Sequence, residues 1–193
     1  MKIISGILKG RTIEGYNIDG TRPTMDRVKE SLFGTIQNNI KNSIVLDLFA
    51  GSGQLGIEAI SNGAQKCYFI DNNKEVIKIL NKNITNLNIK DKSIITLSDW
   101  KKALNDFGTR KIKFDLIFVD PPYDYDVYEK ILNKVSELEL LTEDGLIILE
   151  HQNLKFKDNY QNLTLYKEKK YGNKSVNIYK FNWHILSYMI YFI

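Results

Sequence analysis

Asp120-Pro121-Pro122-Tyr123 is the stretch of this chain best suited to chemistry. It follows directly on an apolar run of strand length, residues 115–119. Two prolines cannot continue a sheet ladder, so the backbone leaves the strand stiffly and the Asp120 carboxylate and Pro121 carbonyl are aimed together. Tyr123 adds an aromatic face on which a base can stack. The reaction that needs this set is alkylation of an exocyclic base amine, a poor nucleophile because its lone pair is delocalised into the ring. Two acceptors can hold both amine hydrogens and leave the lone pair aimed at an electrophile about 3–3.5 Å away. Asp120 need not be a strong base, its ordinary pKa being about 4, because the amine becomes acidic only as the new bond forms.

The second constellation is Asp47-Leu48-Phe49-Ala50-Gly51-Ser52-Gly53-Gln54-Leu55-Gly56, between an apolar run and a helical pattern. Its glycines allow a tight turn and close approach of a ligand, and the helix that follows points free N–H groups at it. The spacing Gly51-x-Gly53-x-x-Gly56 formally matches a dinucleotide fingerprint. Asp47, however, would repel a pyrophosphate, whereas it can pair with the positive amino group of S-adenosylmethionine. Asp71, at the end of the next apolar run and followed by Asn72, can accept from both ribose hydroxyls of either nucleoside cofactor. Asp99 and Trp100 follow the third run, where Asp99 can accept from an adenine amino group and Trp100 can cover the ring.

The elements that must position these groups alternate. Strands are expected at residues 44–49, 66–70, 93–97, 115–119 and 146–150, and helices at 25–36, 55–61, 74–87 and 125–138, with Thr24 as a cap. That alternation implies an α/β fold, a parallel sheet with helices on both faces, whose carboxyl edge carries both motifs. Residues 163–170 and 175–181, joined around Gly172-Asn173, read as a closing hairpin. Residues 2–20 read as short strand pieces broken by glycines, a small hairpin extension. One domain is expected: extension 1–24, core 25–181 and an apolar tail 182–193. The tail is shorter than the roughly 20 residues a spanning helix needs, so packing on the domain is expected.

Composition narrows the classes. The 193 residues are 43% hydrophobic and 26% charged, a globular balance. A single cysteine, Cys67, rules out an internal disulfide and fits a reducing, cytoplasmic setting. With Cys67, only His151 and His184 could build a zinc-type site, so no metal is expected. The N-terminus carries no long apolar segment of signal-peptide kind. A net charge of +4 permits contact with a phosphate backbone.

With both motifs in place the chain resembles the bacterial small-subunit ribosomal RNA methyltransferase D family, which makes N2-methylguanine in 16S rRNA. The resemblance runs over residues 3–179. Its carriers are Ile3-Ile4-Ser5-Gly6 with Lys9-Gly10-Arg11, Arg22-Pro23-Thr24 with Asp26-Arg27-Val28-Lys29-Glu30, the bend from Asp47 to Gly53, Phe118-Val119-Asp120-Pro121-Pro122-Tyr123, and Tyr171-Gly172. It implies a Rossmann-like fold with a seven-stranded, mostly parallel sheet whose last strand is antiparallel. It implies S-adenosylmethionine as donor, held by Asp47, Phe49, Gly51, Gly53, Asp71, Asn72, Asp99 and Trp100. It further implies a guanine held by Asp120, Pro121, Pro122 and Tyr123, an enzyme of the guanine-966 N2 type. The implied partner is 16S rRNA within the 30S subunit, with Arg22 and Thr24 at the pocket mouth and Lys9, Arg11, Arg22, Arg27 and Lys29 on the RNA backbone. A monomer is expected, with no membrane association. The tail from Trp183 to Ile193 departs from the family pattern.

Three other readings remain open. A DNA adenine-N6 methyltransferase uses the same motif pair but commonly carries a larger recognition region. A protein glutamine methyltransferase typically has Asn at the position of Asp120. A non-catalytic nucleotide- or RNA-binding module would be expected to have lost Asp120 or Gly51.

Overall fold

Two kinds of apolar pattern build the scaffold. The runs Ile44–Asp47 (β1) and Phe114–Val119 (β4) are nearly all buried, as strands covered on both faces must be. The helices carry one apolar stripe each. The structure, a computed structural model, describes residues 1–15, 23–121, 125–152 and 154–182, with the backbone alone at 23–26 and 125.

The remaining strands are Lys66–Asp71 (β2), Ser93–Leu97 (β3), Leu141–His151 (β5), the two-residue Asn159–Tyr160 (β6), Leu163–Tyr171 (β7) and Lys174–Phe181 (β8). They form one sheet in the order β3-β2-β1-β4-β5-β8-β7-β6. Strands β1 to β5 are mutually parallel, and β8 inserts antiparallel between β5 and β7. The described residues thus hold eight strands where seven are expected, the addition being short β6, which pairs only with the start of β7. Chain order reverses between β1 and β4, and that switch point is where open α/β sheets bind ligands, beyond the carboxyl ends of the strands.

Helices cover both faces. Pro23–Ile40 (α1), Gln54–Ser61 (α2) and Lys74–Asn86 (α3) pack on one, through Val28, Leu32, Ile57, Ile60, Leu80 and Ile84. Trp100–Thr109 (α4) and Tyr125–Glu137 (α5) pack on the other, through Leu104, Phe107, Ile131 and Val135. Helix α4 is absent from the sequence reading, although Ala103, Leu104 and Phe107 recur at helical spacing and Asp99 caps it by accepting from Lys101 N at 2.8 Å.

The N-terminal segment makes a minimal hairpin. Ile3 N donates to Arg11 O, Gly10 N to Ile3 O and Ile13 N to Met1 O, around a 3-10 turn at Gly6–Leu8. Ile3 and Ile13 are 2% and 1% exposed and belong to the same core as α1–α3. The anchor is Glu58 on α2, fully buried, which accepts from Ser5 N at 2.8 Å, Ser5 Oγ at 2.9 Å and Ile4 N at 3.1 Å. Gly6 has φ +76, and a Cβ there would lie 1.9 Å from the Ser61 carbonyl oxygen, so glycine is required. Lys29 corrects the sequence reading. It is 3% exposed, donates to Lys2 O at 3.0 Å and lies 3.6 Å from Glu58 Oε2. A buried carboxylate demands a counter-charge, and Lys29 supplies it, so it does not stand at the surface for RNA.

Candidate active site

Backbone geometry at the end of β1 follows from the residues that surround it. Gly51 and Gly53 sit at φ +55 and +90, a region side chains disfavour. A Cβ on Gly53 would meet Leu80 Cδ1 at 2.5 Å, and one on Gly56 would meet Phe69 Cε1 at 2.3 Å, whereas nothing lies within 4 Å of a Cβ on Gly51. Gly53 and Gly56 therefore allow α2 to lie close on the sheet and on α3, and Gly51 leaves open space. Carboxylates brace the bend: Asp47 Oδ2 accepts from Gly56 N, and Asp71 accepts from Gly51 N with Oδ2 and Asn73 N with Oδ1, each at 2.9 Å. Buried Asn83 on α3 donates to Ser52 O at 3.0 Å and Glu14 O at 2.9 Å, and accepts from Glu14 N at 2.8 Å. Asn83 is absent from the sequence reading. Its signal is a polar residue on an otherwise apolar helix face.

The two motifs meet. Asp47 pairs in register with Phe118, and Leu48 N donates to Phe118 O at 3.1 Å, so Asp120 leaves β4 beside the glycine bend. Side-chain parity places further charges with them. Phe69, Val45, Phe118, Ile148 and Val176 share one core, on the α1–α3 face. A residue two positions away on a strand shares its face. Asp71, Asp47, Glu150 and Lys174, on β2, β1, β5 and β8, therefore stand along one sheet edge, and Asp120, the first residue past β4, joins them within reach of the charges of Asp47, Glu150 and Lys174.

The electrostatics follow from this crowding. Burial pushes the Asp47 carboxyl up to about 7, against the Gly56 N–H bond and with help from Asp71. Protein packed around Asp120 likewise raises its carboxyl well above the usual range; Glu150 and Asp47 raise it further and Lys174 opposes them. Asp120 keeps an exposed side, which tempers the effect of burial without reversing its direction. Glu150 and Lys174, absent from the sequence reading, form an ion pair. Its signal in the sequence is two charged residues at the ends of strands that are otherwise apolar inside.

The structure distributes the other expected site residues unevenly. Phe49 and Trp100 are half-buried against the α4–α5 core, with Lys101 Nζ 5.5 Å from the Trp100 ring centre. Asn72 is exposed beside Asp71, and Asp99 is exposed as the cap of α4. Pro121 is buried and Arg27 exposed near the start of α1, which points to this edge because its other end leads into β1. Lys9 and Arg11 do not come near it. Lys9 is exposed just after Leu8, whose N–H donates to Ser61 Oγ at the end of α2. Arg11 donates to Asn86 O at the end of α3. Both helices end at the opposite, amino edge of the sheet. Arg22, Pro122 and Tyr123, the side chain of Thr24 and the tail from Trp183 lie outside the described residues.

His151, for which the sequence offers no role, holds structure. It accepts from Leu154 N with Nδ1 at 3.0 Å, so Nε2 is the ring donor to Asn177 Oδ1 at 2.8 Å. Burial lowers its pKa and keeps this neutral tautomer. Two surface hollows, one near Asn38, Asp115 and Asp144 and one near Tyr68 and Phe107, include neither Asp47 nor Asp120.

Chemically, the edge offers a glycine bend with open space at Gly51, flanked by carboxylates whose charge is poorly compensated. A cationic ligand relieves that crowding and a pyrophosphate worsens it, so these residues fit S-adenosylmethionine, with its sulfonium and ammonium groups.

Comparison with known proteins agrees. A solved protein from Escherichia coli, yhhF, superposes with a TM-score of 0.84 at 31% identity, covering 94% of this chain and 98% of that one. The SAM-dependent methyltransferase of Agrobacterium tumefaciens shares the fold, with a TM-score of 0.63 at 15% identity over 84% of this chain and 63% of that one. The ribosomal RNA small subunit methyltransferase D of Buchnera aphidicola (from Acyrthosiphon pisum) is 40% identical over 86% of each chain, and its namesake in Haemophilus influenzae is 34% identical over 93% of each. The family model described as Conserved hypothetical protein 95 matches residues 1–180, and on these matches the chain belongs to that family, together with the ribosomal RNA small subunit methyltransferases D.

Proposed function

We propose that this protein transfers the methyl group of S-adenosylmethionine to the exocyclic N2 of a guanine in small-subunit rRNA. The observation that carries the reading is the adjacency of Asp47 and Asp120 on one face of neighbouring strands, which sets a cofactor bend beside a base-amine acceptor. The names of the relatives, which are rRNA small-subunit methyltransferases, support an rRNA substrate.

In this reading Asp47, Gly51, Gly53 and Asp71 hold the cofactor, with Phe49, Asn72, Asp99 and Trp100 along its nucleoside. The bound cofactor supplies an electrophilic methyl on a cationic sulfur. Asp47 keeps one oxygen on Gly56 N and offers the other to the ammonium. Asp71 uses one acceptor direction of each oxygen on the loop and retains a second on each, because a carboxylate accepts about four hydrogen bonds. Asp120 and the Pro121 carbonyl accept the two amine hydrogens, and Pro122 and Tyr123 shape and stack the base. As nitrogen becomes cationic its proton passes to Asp120, whose raised pKa suits acceptance near neutral pH, and from there to solvent. Arg22, Thr24 and Arg27 are assigned to the pocket mouth and RNA backbone. Lys9 and Arg11, at the far edge, are assigned to more distant phosphates.

The reading takes 16S rRNA in the 30S subunit as substrate, a monomeric enzyme and a cytoplasmic setting. Among the described residues no helix is long and apolar enough to cross a membrane. Labelled S-adenosylmethionine offered with unmethylated 30S subunits or duplex DNA tests it. The expected result is label in 30S particles, located as one N2-methylguanine by mass spectrometry. Label in DNA as N6-methyladenine, or in neither, overturns it.

A further inference from the structure

Beside Asp120 stands a charged pair that the proposed transfer does not use. Val119 pairs in register with Leu149, so Glu150 on β5 is the neighbour of Asp120 on β4. Glu150 pairs with Val176 across β8, and Lys174, two residues earlier on the same face, bonds Glu150 Oε1 through Nζ. The two side chains are only 24% and 11% exposed. Tyr128 on α5 fixes the β5 backbone here by donating to Glu150 O at 2.6 Å. On one side of the pair β8 turns into the hairpin tip, which α1 holds down through the Tyr171 OH to Ser31 Oγ bond at 2.6 Å.

Stability alone is a weak reason for such a pair, because withdrawing two charges from water costs about as much as their attraction returns. Its position gives a better one. We propose that Glu150 and Lys174 are positioning residues for Asp120: Lys174, held on Glu150, offsets the carboxylates gathered at this edge and draws Asp120 toward its ionised form, in which it accepts the hydrogens of a target amine.

Among the described residues, the titratable groups whose fields reach Asp120 are Asp47 on β1, Glu150 on β5, Lys174 on β8 and the Tyr128 hydroxyl on α5. From α1, Lys29 is turned to Glu58 and Arg27 is exposed. Lys174 is thus the cation in a set of three carboxylates. Without it, two neighbouring carboxylates on β4 and β5 would share a proton, and a protonated Asp120 gives up acceptor capacity. Without Glu150, the ammonium would act on Asp120 unopposed.

The inference rests on the functional reading for its purpose but not for its test. Titration of the Asp120 carboxyl in 13C-aspartate-labelled, cofactor-free protein, assigned with Asp120→Asn, reads the effect directly. Lys174→Gln is expected to raise the midpoint by about one pH unit and Glu150→Gln to lower it by about as much. The double variant returns toward the parent value, and Lys174→Arg, which keeps the charge, matches it. The acid limb of the methyl-transfer profile moves in the same directions. A merely structural pair would not produce opposite shifts. Midpoints that stay in place, or that move together in both single variants, overturn the inference. Methyl transfer unchanged in Asp120→Asn overturns the functional reading instead, and leaves the titration to decide on the pair.

Discussion

The two halves of the candidate site are held in opposite ways. On the β1–β2–β3 side each acid of the candidate site is tied to a backbone N–H: Asp47 to Gly56, Asp71 to Gly51 and Asn73, Asp99 to Lys101. On the β4–β5–β8 side no described backbone N–H bonds Asp120, which responds to the side chains of Glu150, Lys174 and Asp47. One half is a cradle with fixed geometry and the other is tuned by charge. A methyl transfer needs that division, since the donor must be held still while the acceptor group changes its protonation during the reaction.

The sharpest way to break this contrast is Asp120→Asn. Transfer to 30S subunits is expected to fall about 10²–10⁴-fold, while calorimetry finds cofactor affinity unchanged. Loss of cofactor binding would place Asp120 in the cradle and erase the distinction.

Next in size is the cradle itself. A methyl added by Gly56→Ala meets Phe69 and Cys67 at 2.3 and 2.6 Å, both in the packed interior. Overpacking of this kind costs about 1–3 kcal/mol, a fall of several degrees in Tm, and cofactor affinity drops with it as the bend shifts. A neutral outcome would mean that α2 is free to move away from the sheet.

Asp47→Asn separates stability from binding. Its carboxyl titrates near 7 in the folded protein against 3.8 for the unperturbed group, so the folded state holds the proton more tightly. The ligand-free protein is therefore most stable below about pH 4 with respect to this group, and that contribution is lost as pH rises to about 7. Asparagine removes the loss, and thermal melts at pH 8 are expected to show a gain of about 1–2 kcal/mol. Cofactor affinity falls about tenfold or more in the same variant, as a charge-assisted hydrogen bond is removed. A gain in both would remove Asp47 from the ammonium site.

The smallest effect is expected far from the edge. Arg11→Ala loses a guanidinium from the end of α3 and costs about 0.3–1 kcal/mol, with transfer at saturating 30S unchanged. A large drop in transfer at saturating 30S would give Arg11 a part in the reaction beyond a distant phosphate contact.

Much of the cradle was legible because its parts are close in sequence or have short-range signatures. Glycines between an apolar run and a helical pattern announce the bend, and acids at strand ends announce its braces. Helix α4 is missing from the sequence reading because Asp99 and Trp100 draw attention as ligand residues, whereas in the fold Asp99 also caps the helix and Trp100 opens it, half-buried against the α4–α5 core. Lys29 was misread for a different reason. On α1 it stands in the largely charged run Asp26-Arg27-Val28-Lys29-Glu30, and only the buried Glu58 of another helix reveals that it faces inward.

By itself the sequence determined the alternation of strands and helices, the glycine bend and the acid-ended turn, since periodicity and backbone stereochemistry act over a few residues. Tertiary structure alone decided that five charged side chains from five strands share one edge and one face. That arrangement depends on strand order and register, which bring together residues whose separation along the chain carries no local signal, and it is strand order that makes Glu150 and Lys174 the neighbours of Asp120.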